Sequence, residues 1–274
     1  MSSPPRQFSV LVARELRTVV RTRVYGLLAV GFAGLVFALT ASGGGGQTGY
    51  LPAVVDLLLP LELLVPVVAI AVGYRSVVAD FDRGELAVLE TYNVPAWVYV
   101  SGVYVGRAAL LAVVLGGGLL ISGVVIALTA GPDTGIYATH TGVDSPVLFG
   151  RFIVLTVLFG LSMLAVVVLV SVVARSKQAA LALAVGGILL VGGGADALVV
   201  VGLTDGWLTD STLLSALAAA PNSAYRGVVF ETVIGVAAAG DTGYAGPLRS
   251  LVGLVGWLVG SLLAAIALLA RRQL

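Results

Sequence analysis

The chain has 274 residues, 59% of them hydrophobic and 11% charged, with a mean hydropathy of +1.08. Soluble domains carry roughly 25% charge, and a water-soluble sphere of this size could not hide so much apolar side chain, so lipid is the solvent for most of the chain. A net charge of +1 excludes a strongly basic nucleic-acid binder, and the absence of cysteine excludes disulfides, thiol catalysis and Cys-ligated zinc or iron–sulfur centres.

In chain order, residues 1–23 form the first unit. Phe8, Val12, Leu16 and Val19 make an apolar stripe, and Arg14, Arg17 and Arg21 share the opposing face, which predicts an amphipathic helix lying in the headgroup plane. Two readings stand for it, an anchor alone or an anchor that also offers a surface to a cytoplasmic partner. Residues 24–274 form the second unit. They hold six apolar runs of bilayer length: Val24–Ala41, Leu51–Gly73, Ala108–Ala130, Phe152–Val173, Ala179–Val201 and Leu251–Ala270. The runs are continuous rather than alternating, so they predict helices, not membrane strands. The fold class is therefore an all-α membrane protein with six spans. Cleavage of the first run as a signal peptide is disfavoured, because 23 residues including Glu15 precede it and no clean small-x-small site follows.

Orientation follows from Lys and Arg. Twelve of the fifteen lie in the N-terminal segment, the link 74–107, the link between spans four and five, and the C-terminus; only Arg151, Arg226 and Arg249 lie opposite. Both termini are then expected in the cytoplasm.

The link 74–107 is too charged to enter lipid and too long for a simple turn. It carries Arg75, Asp80, Asp82, Arg83, Glu85 and Glu90, with a short helix expected from near Gly84 to Pro95. It reads either as a docking helix for a cytoplasmic subunit or as a solvated loop. The outer segment 202–248 is semi-apolar, and neither half is long enough to span, so short interfacial or re-entrant helices are expected.

Three acids fall inside the spans. Glu62 lies 11 positions into a 23-residue run, near the midplane, and Asp56 lies about 9 Å toward the outer side. Asp196 falls toward the outer end of span five, after Gly192–Gly194. Each reads either as a proton- or ion-coupling site or as a polar tie between helices. Pro60 and Pro66 flank Glu62 and are expected to kink its helix.

Catalytic chemistry is missing. The only lysine, Lys177, is not in a phosphate-binding Gly-rich loop, so any ATP use belongs to another chain. His140 is the only histidine and stands in an outer loop, so neither a metal site nor a cofactor is expected, and no nucleophile has a base.

The order of parts resembles the permease subunits of type-2 ABC transporters, and most of all the branch typified by the permease of nitrous-oxide-reductase maturation. Gly73-Tyr74-Arg75-Ser76-Val77-Val78, Arg83-Gly84-Glu85-Leu86 with Leu89, and Gly102 with Gly106-Arg107 resemble the stretch around that family's coupling helix. Pro221-Asn222-Ser223-Ala224-Tyr225-Arg226 resembles its outer motif. The basic residues usual after the coupling helix are absent from Val94-Pro95-Ala96-Trp97 and Gly102-Val103. The resemblance implies a prokaryotic cytoplasmic-membrane exporter subunit, paired with a second permease chain, identical or different. A cytoplasmic ATPase would dock on Arg75, Asp80, Asp82, Arg83, Gly84, Glu85, Leu86 and Leu89, and the substrate would pass near Glu62, Asp56 and Asp196. A secondary transporter using those three acids is the alternative.

Overall fold

The structure is a computed structural model; it describes residues 4–85, 91–92, 94–129, 144–238 and 246–272. All the regular elements among them are helical. Six helical stretches are long and apolar enough to cross a membrane, as the sequence predicts. The protein is a multi-pass α-helical membrane protein.

Helix α1 (Pro4–Arg21) is the amphipathic helix, and Thr22 separates it from the first span, α2 (Arg23–Ser42). A short α3 (Gly45–Thr48) leads to the second span, α4 (Tyr50–Gly73). This helix continues through Pro60 and Pro66, which remove the donors that would reach the carbonyls of Asp56 and Glu62 four residues earlier. Helix α5 (Val78–Asp82) follows. Its first amides, those of Val77 and Val78, donate to Ser171 Oγ at 3.0 and 3.1 Å. Gly84 stands just past its end at φ +71°, a left-handed conformation that favours glycine. The next helix is expected to begin there; Glu85, directly after it, and Thr91 are helical, and residues 86–90, with Leu86 and Leu89, lie outside the described residues.

The third span, α6 (Ala96–Thr129), is longer than expected. Its 34 residues extend about 51 Å, against a hydrocarbon core of about 30 Å. The helix starts at Ala96 rather than Ala108 because Pro95 is the last breaker: the Tyr99 amide already donates to the Pro95 carbonyl. Its early turns seat α1. A Cβ on Gly102 would lie 2.9 Å from Leu11 Cβ, and one on Gly106 would come closer still to Glu15 Cβ. Two small residues four apart thus accept two α1 side chains four apart. Gly106→Ala should lift α1 off this seat and cost about 1–3 kcal/mol. Gly117, with open space around it, is the control. Comparing the two alanine variants by thermal melting in detergent tests the packing, and equal Tm values would refute it.

The fourth span, α7 (Pro146–Val173), is the core of the bundle, packing on α4, α6 and the last span, α13 (Pro247–Arg272). Ser145 caps its first turn. Ser162 ties it to α13 by donating to the Leu254 carbonyl at 2.9 Å. The fifth span is α8 (Lys177–Ile188), a π-helical turn at Leu189–Gly194, and α9 (Ala195–Thr204).

Between the fifth and last spans the described residues fold as short helices: α10 (Asp210–Ala219), α11 (Pro221–Val229), a π turn at Phe230–Ile234 and α12 (Gly235–Ala238). Helix α11 is not a surface helix. Ala224, Tyr225, Val228 and Val229 are fully buried, and Tyr225 stacks on Phe159 with ring centroids 4.6 Å apart. At the other end of the bundle, Arg272 donates to the carbonyls of Val172 and Val173 and sits over the Phe81 ring. Helix α1 and the end of α13 thus share one end, called here the charge-rich end.

Candidate functional site

Two polar clusters stand out, one at the charge-rich end and one inside the bundle. The first is built on Asp80, which α5 turns inward until it is 3% exposed. One carboxylate oxygen accepts from Arg14 and from the Tyr99 hydroxyl, both at 2.7 Å; the other accepts from Arg83. Arg14 also donates to Glu85 at 3.0 Å and to Glu15 at 3.1 Å, and Arg83 to Glu85 at 2.6 Å. Burial disfavours the Arg14 charge, but hydrogen bonds and attraction from Asp80 and Glu15 outweigh it and hold its pKa above the usual arginine range.

Glu15 is buried on the other side of α1, against Arg107. The Arg107 guanidinium donates to Glu15 at 3.0 Å, and to the Tyr25 hydroxyl and the Val72 carbonyl at 2.6 Å each. One side chain of α6 thereby holds α1, α2 and α4. The link, the amphipathic helix and three spans form one hydrogen-bonded body.

Of the expected docking residues, Asp82, Arg83 and Glu85 keep exposed side chains on this body, with Lys177 3.3 Å from Asp82. Arg75 is exposed and lies over the ring of Tyr74. Asp80 is enclosed.

The second cluster gathers around α11. Glu62 is 8% exposed, near the middle of α4, and Arg226 donates to both its oxygens, at 2.8 Å from Nε and 2.6 Å from Nη2. The fork-to-fork geometry matches a guanidinium to a carboxylate through two parallel bonds. One turn earlier Ser223 donates to Asp196 at 2.6 Å. Asn222 lies against Gly192 in the π turn, where a Cβ would meet its amide nitrogen at 3.2 Å. Thr156 of α7 and the Tyr225 hydroxyl are 2.8 Å apart. Of the three intramembrane acids, Glu62 and Asp196 therefore share α11 as their partner. Asp56 is exposed, beside Gly43 at the end of α2.

Sequence reasoning missed several members. Arg226 was counted as a base of the outer side, yet it bonds to a mid-span acid. Glu15 and Tyr99 were not singled out, although a lone acid among five N-terminal arginines was a signal. His140 lies outside the described residues.

An all-α bundle of six candidate spans, an amphipathic helix bonded to a charged link, and a buried helix between the last two spans make up a multi-pass membrane protein. The chain matches the family described as "ABC-2 family transporter protein" over residues 10–274, and it belongs to that family. Among individual proteins, it is similar to the probable ABC transporter permease protein NosY of Stutzerimonas stutzeri, with 28% identity over 189 residues. That alignment covers 64% of this chain and 63% of the relative, so the likeness spans less than two thirds of either.

Proposed function

We propose that the chain is the transmembrane permease subunit of an ATP-driven exporter in a prokaryotic cytoplasmic membrane. ATP is hydrolysed by a separate ATPase subunit, and a second permease chain, identical or different, completes the path. Family membership and the likeness to a probable ABC permease support this reading. The exporting direction rests on the resemblance to the maturation-system branch. The excess of Lys and Arg at the charge-rich end supports a cytoplasmic placement of that end.

The observation that carries the mechanism is the Asp80–Arg14–Glu15–Arg107 chain of bonds. An ATPase gripping the exposed Asp82, Arg83 and Glu85, with Gly84 in the turn and Leu86 and Leu89 beyond, would push on the link. Asp80 would pass that push to α1, and Arg107 would pass it to α2 and α4. Movement of α4 would reach Glu62, and through Arg226 the helix α11. Glu62 and Asp196 then belong to the transport path as the two anchors of α11, with Asp56 nearer its outer mouth.

The test is co-purification with the cognate ATPase after Asp82→Lys together with Glu85→Lys. ATPase recovery should fall about tenfold, since like-charge juxtaposition at an interface costs several kcal/mol. Unchanged recovery from a folded variant removes the docking claim.

A further inference from the structure

At the charge-rich end, α1, the start of α2, the link and the start of α8 surround a polar cavity of about 340 Å³. Its walls carry five cations, Arg14, Arg75, Arg83, Arg107 and Lys177, but only three carboxylates, Glu15, Asp80 and Glu85. The three carboxylates are already matched by Arg14, Arg83 and Arg107 through the bonds described above. Two cations of the wall, Arg75 and Lys177, remain, and with Asp82 beside Lys177 counted the excess is one positive charge. Among the described residues, no carboxylate pairs with Arg75, whose guanidinium rests on a neighbouring ring. Lys177 has Asp82 at 3.3 Å, outside the cavity wall, and its side chain is 47% exposed, leaving ammonium hydrogens free to donate.

The position of these two groups narrows the ligand. Arg75 stands two residues beyond the end of α4, and Lys177 is the first residue of α8. Both therefore stand at the ends of apolar, membrane-length helices. Basic cavities between spans at that level suit the heads of anionic lipids. A further wall is made of Thr18 and Thr22, whose hydroxyls donate to the carbonyls of Arg14 and Thr18. A hydroxyl that donates to a carbonyl keeps lone pairs for accepting, so two such groups in the wall suit a ligand that bears hydroxyl groups as well as a negative charge.

We propose that this cavity binds a phosphate ester, with Arg75 and Lys177 holding the phosphate oxygens and Thr18 and Thr22 accepting from ligand hydroxyls. Because both cations stand at the ends of membrane-length helices, the source assigned is the head of a glycerol-bearing anionic phospholipid. A soluble glycerol phosphate offers the same chemistry. The site stands independently of ATPase docking, because it needs only the permease chain.

The test uses the purified full-length chain without an ATPase, in neutral detergent. Binding is followed by native mass spectrometry and by Tm, with phosphatidylglycerol, phosphatidylcholine, glycerol 3-phosphate and inorganic phosphate as probes. Phosphatidylglycerol should bind about tenfold more tightly than phosphatidylcholine, and Arg75→Gln with Lys177→Gln should abolish that preference. Arg17→Gln, on α1 but outside the cavity wall, should leave it intact. Binding of glycerol 3-phosphate as tightly as the lipid would keep the site and make its source soluble. Two results overturn the proposal: no preference for phosphatidylglycerol over phosphatidylcholine, or a double variant that binds no worse than Arg17→Gln. A double variant that retains lipid but loses a co-expressed ATPase assigns these cations to the partner, and the lipid site falls.

Discussion

Arg226→Ala should destabilise the protein by about 3–5 kcal/mol, more than Glu62→Gln at the other end of the same pair. The asymmetry comes from where each charge is left. The Glu62 side chain is 8% exposed and the Arg226 side chain 33%. Removing Arg226 strands a carboxylate near the middle of a span, where a lone charge costs about 2.5–3.5 kcal/mol on insertion scales or must take up a proton. Removing the Glu62 charge leaves a partly exposed guanidinium facing a neutral amide that still accepts from it. The double variant Glu62→Gln with Arg226→Ala should recover much of the loss, because nothing charged is then left unpaired. Thermal melting in detergent gives the order of the three. If Glu62→Gln proves the most damaging, the carboxylate is not held mainly by Arg226, and the anchoring of α11 must be sought elsewhere.

The six spans could be read from the sequence because lipid imposes length and apolarity on each one separately. No long-range contact is needed to recognise Leu251–Ala270 as a crossing. The same reading failed at the start of α6 for an equally local reason. Trp97, Tyr99 and Arg107 break the apolar run, yet none of them breaks a helix, and Pro95 is the true boundary. Run length marked where hydrocarbon begins, whereas the helix continues outside it to carry α1.

The polar clusters were less legible. Glu62 was identifiable because a mid-span carboxylate needs a partner. The partner itself, 164 residues away, follows from no spacing or periodicity. The segment holding it is expected to form short interfacial or re-entrant helices, but its buried face depends on Phe159 and Thr156 of a different helix. At the charge-rich end the link's acids and arginines stood out as a group. Which of them face inward is decided by α1 settling on Gly102 and Gly106, so Asp80 and Asp82, two residues apart, have opposite fates. The family likeness gave the order of parts and the kind of protein, while the wiring among the parts had to come from the fold.

Arg107→Met should be comparably severe, about 3–5 kcal/mol, because one guanidinium serves three elements. Its loss leaves Glu15 buried with Arg14 as its remaining cation, at 3.1 Å. The Val72 carbonyl, near the end of α4, loses its charged donor, and the Tyr25 hydroxyl loses its tie to α6. Arg107→Lys should recover only part, since three donors on one nitrogen cannot span the guanidinium's separation between Nε, which reaches Glu15, and Nη1, which reaches Tyr25 and Val72. Adding Glu15→Gln to Arg107→Met should restore stability relative to the single variant, with a coupling within about 0.5–3 kcal/mol. Beyond stability, α1 should loosen from the bundle, so trypsin should cut at Arg17 and Arg21 faster in Arg107→Met than in the parent, at temperatures where both remain folded. If α1 stays as protected as before, Arg107 does not bind it to the spans, and a push on the link would reach α4 only directly through residues 74–77, not by way of α1.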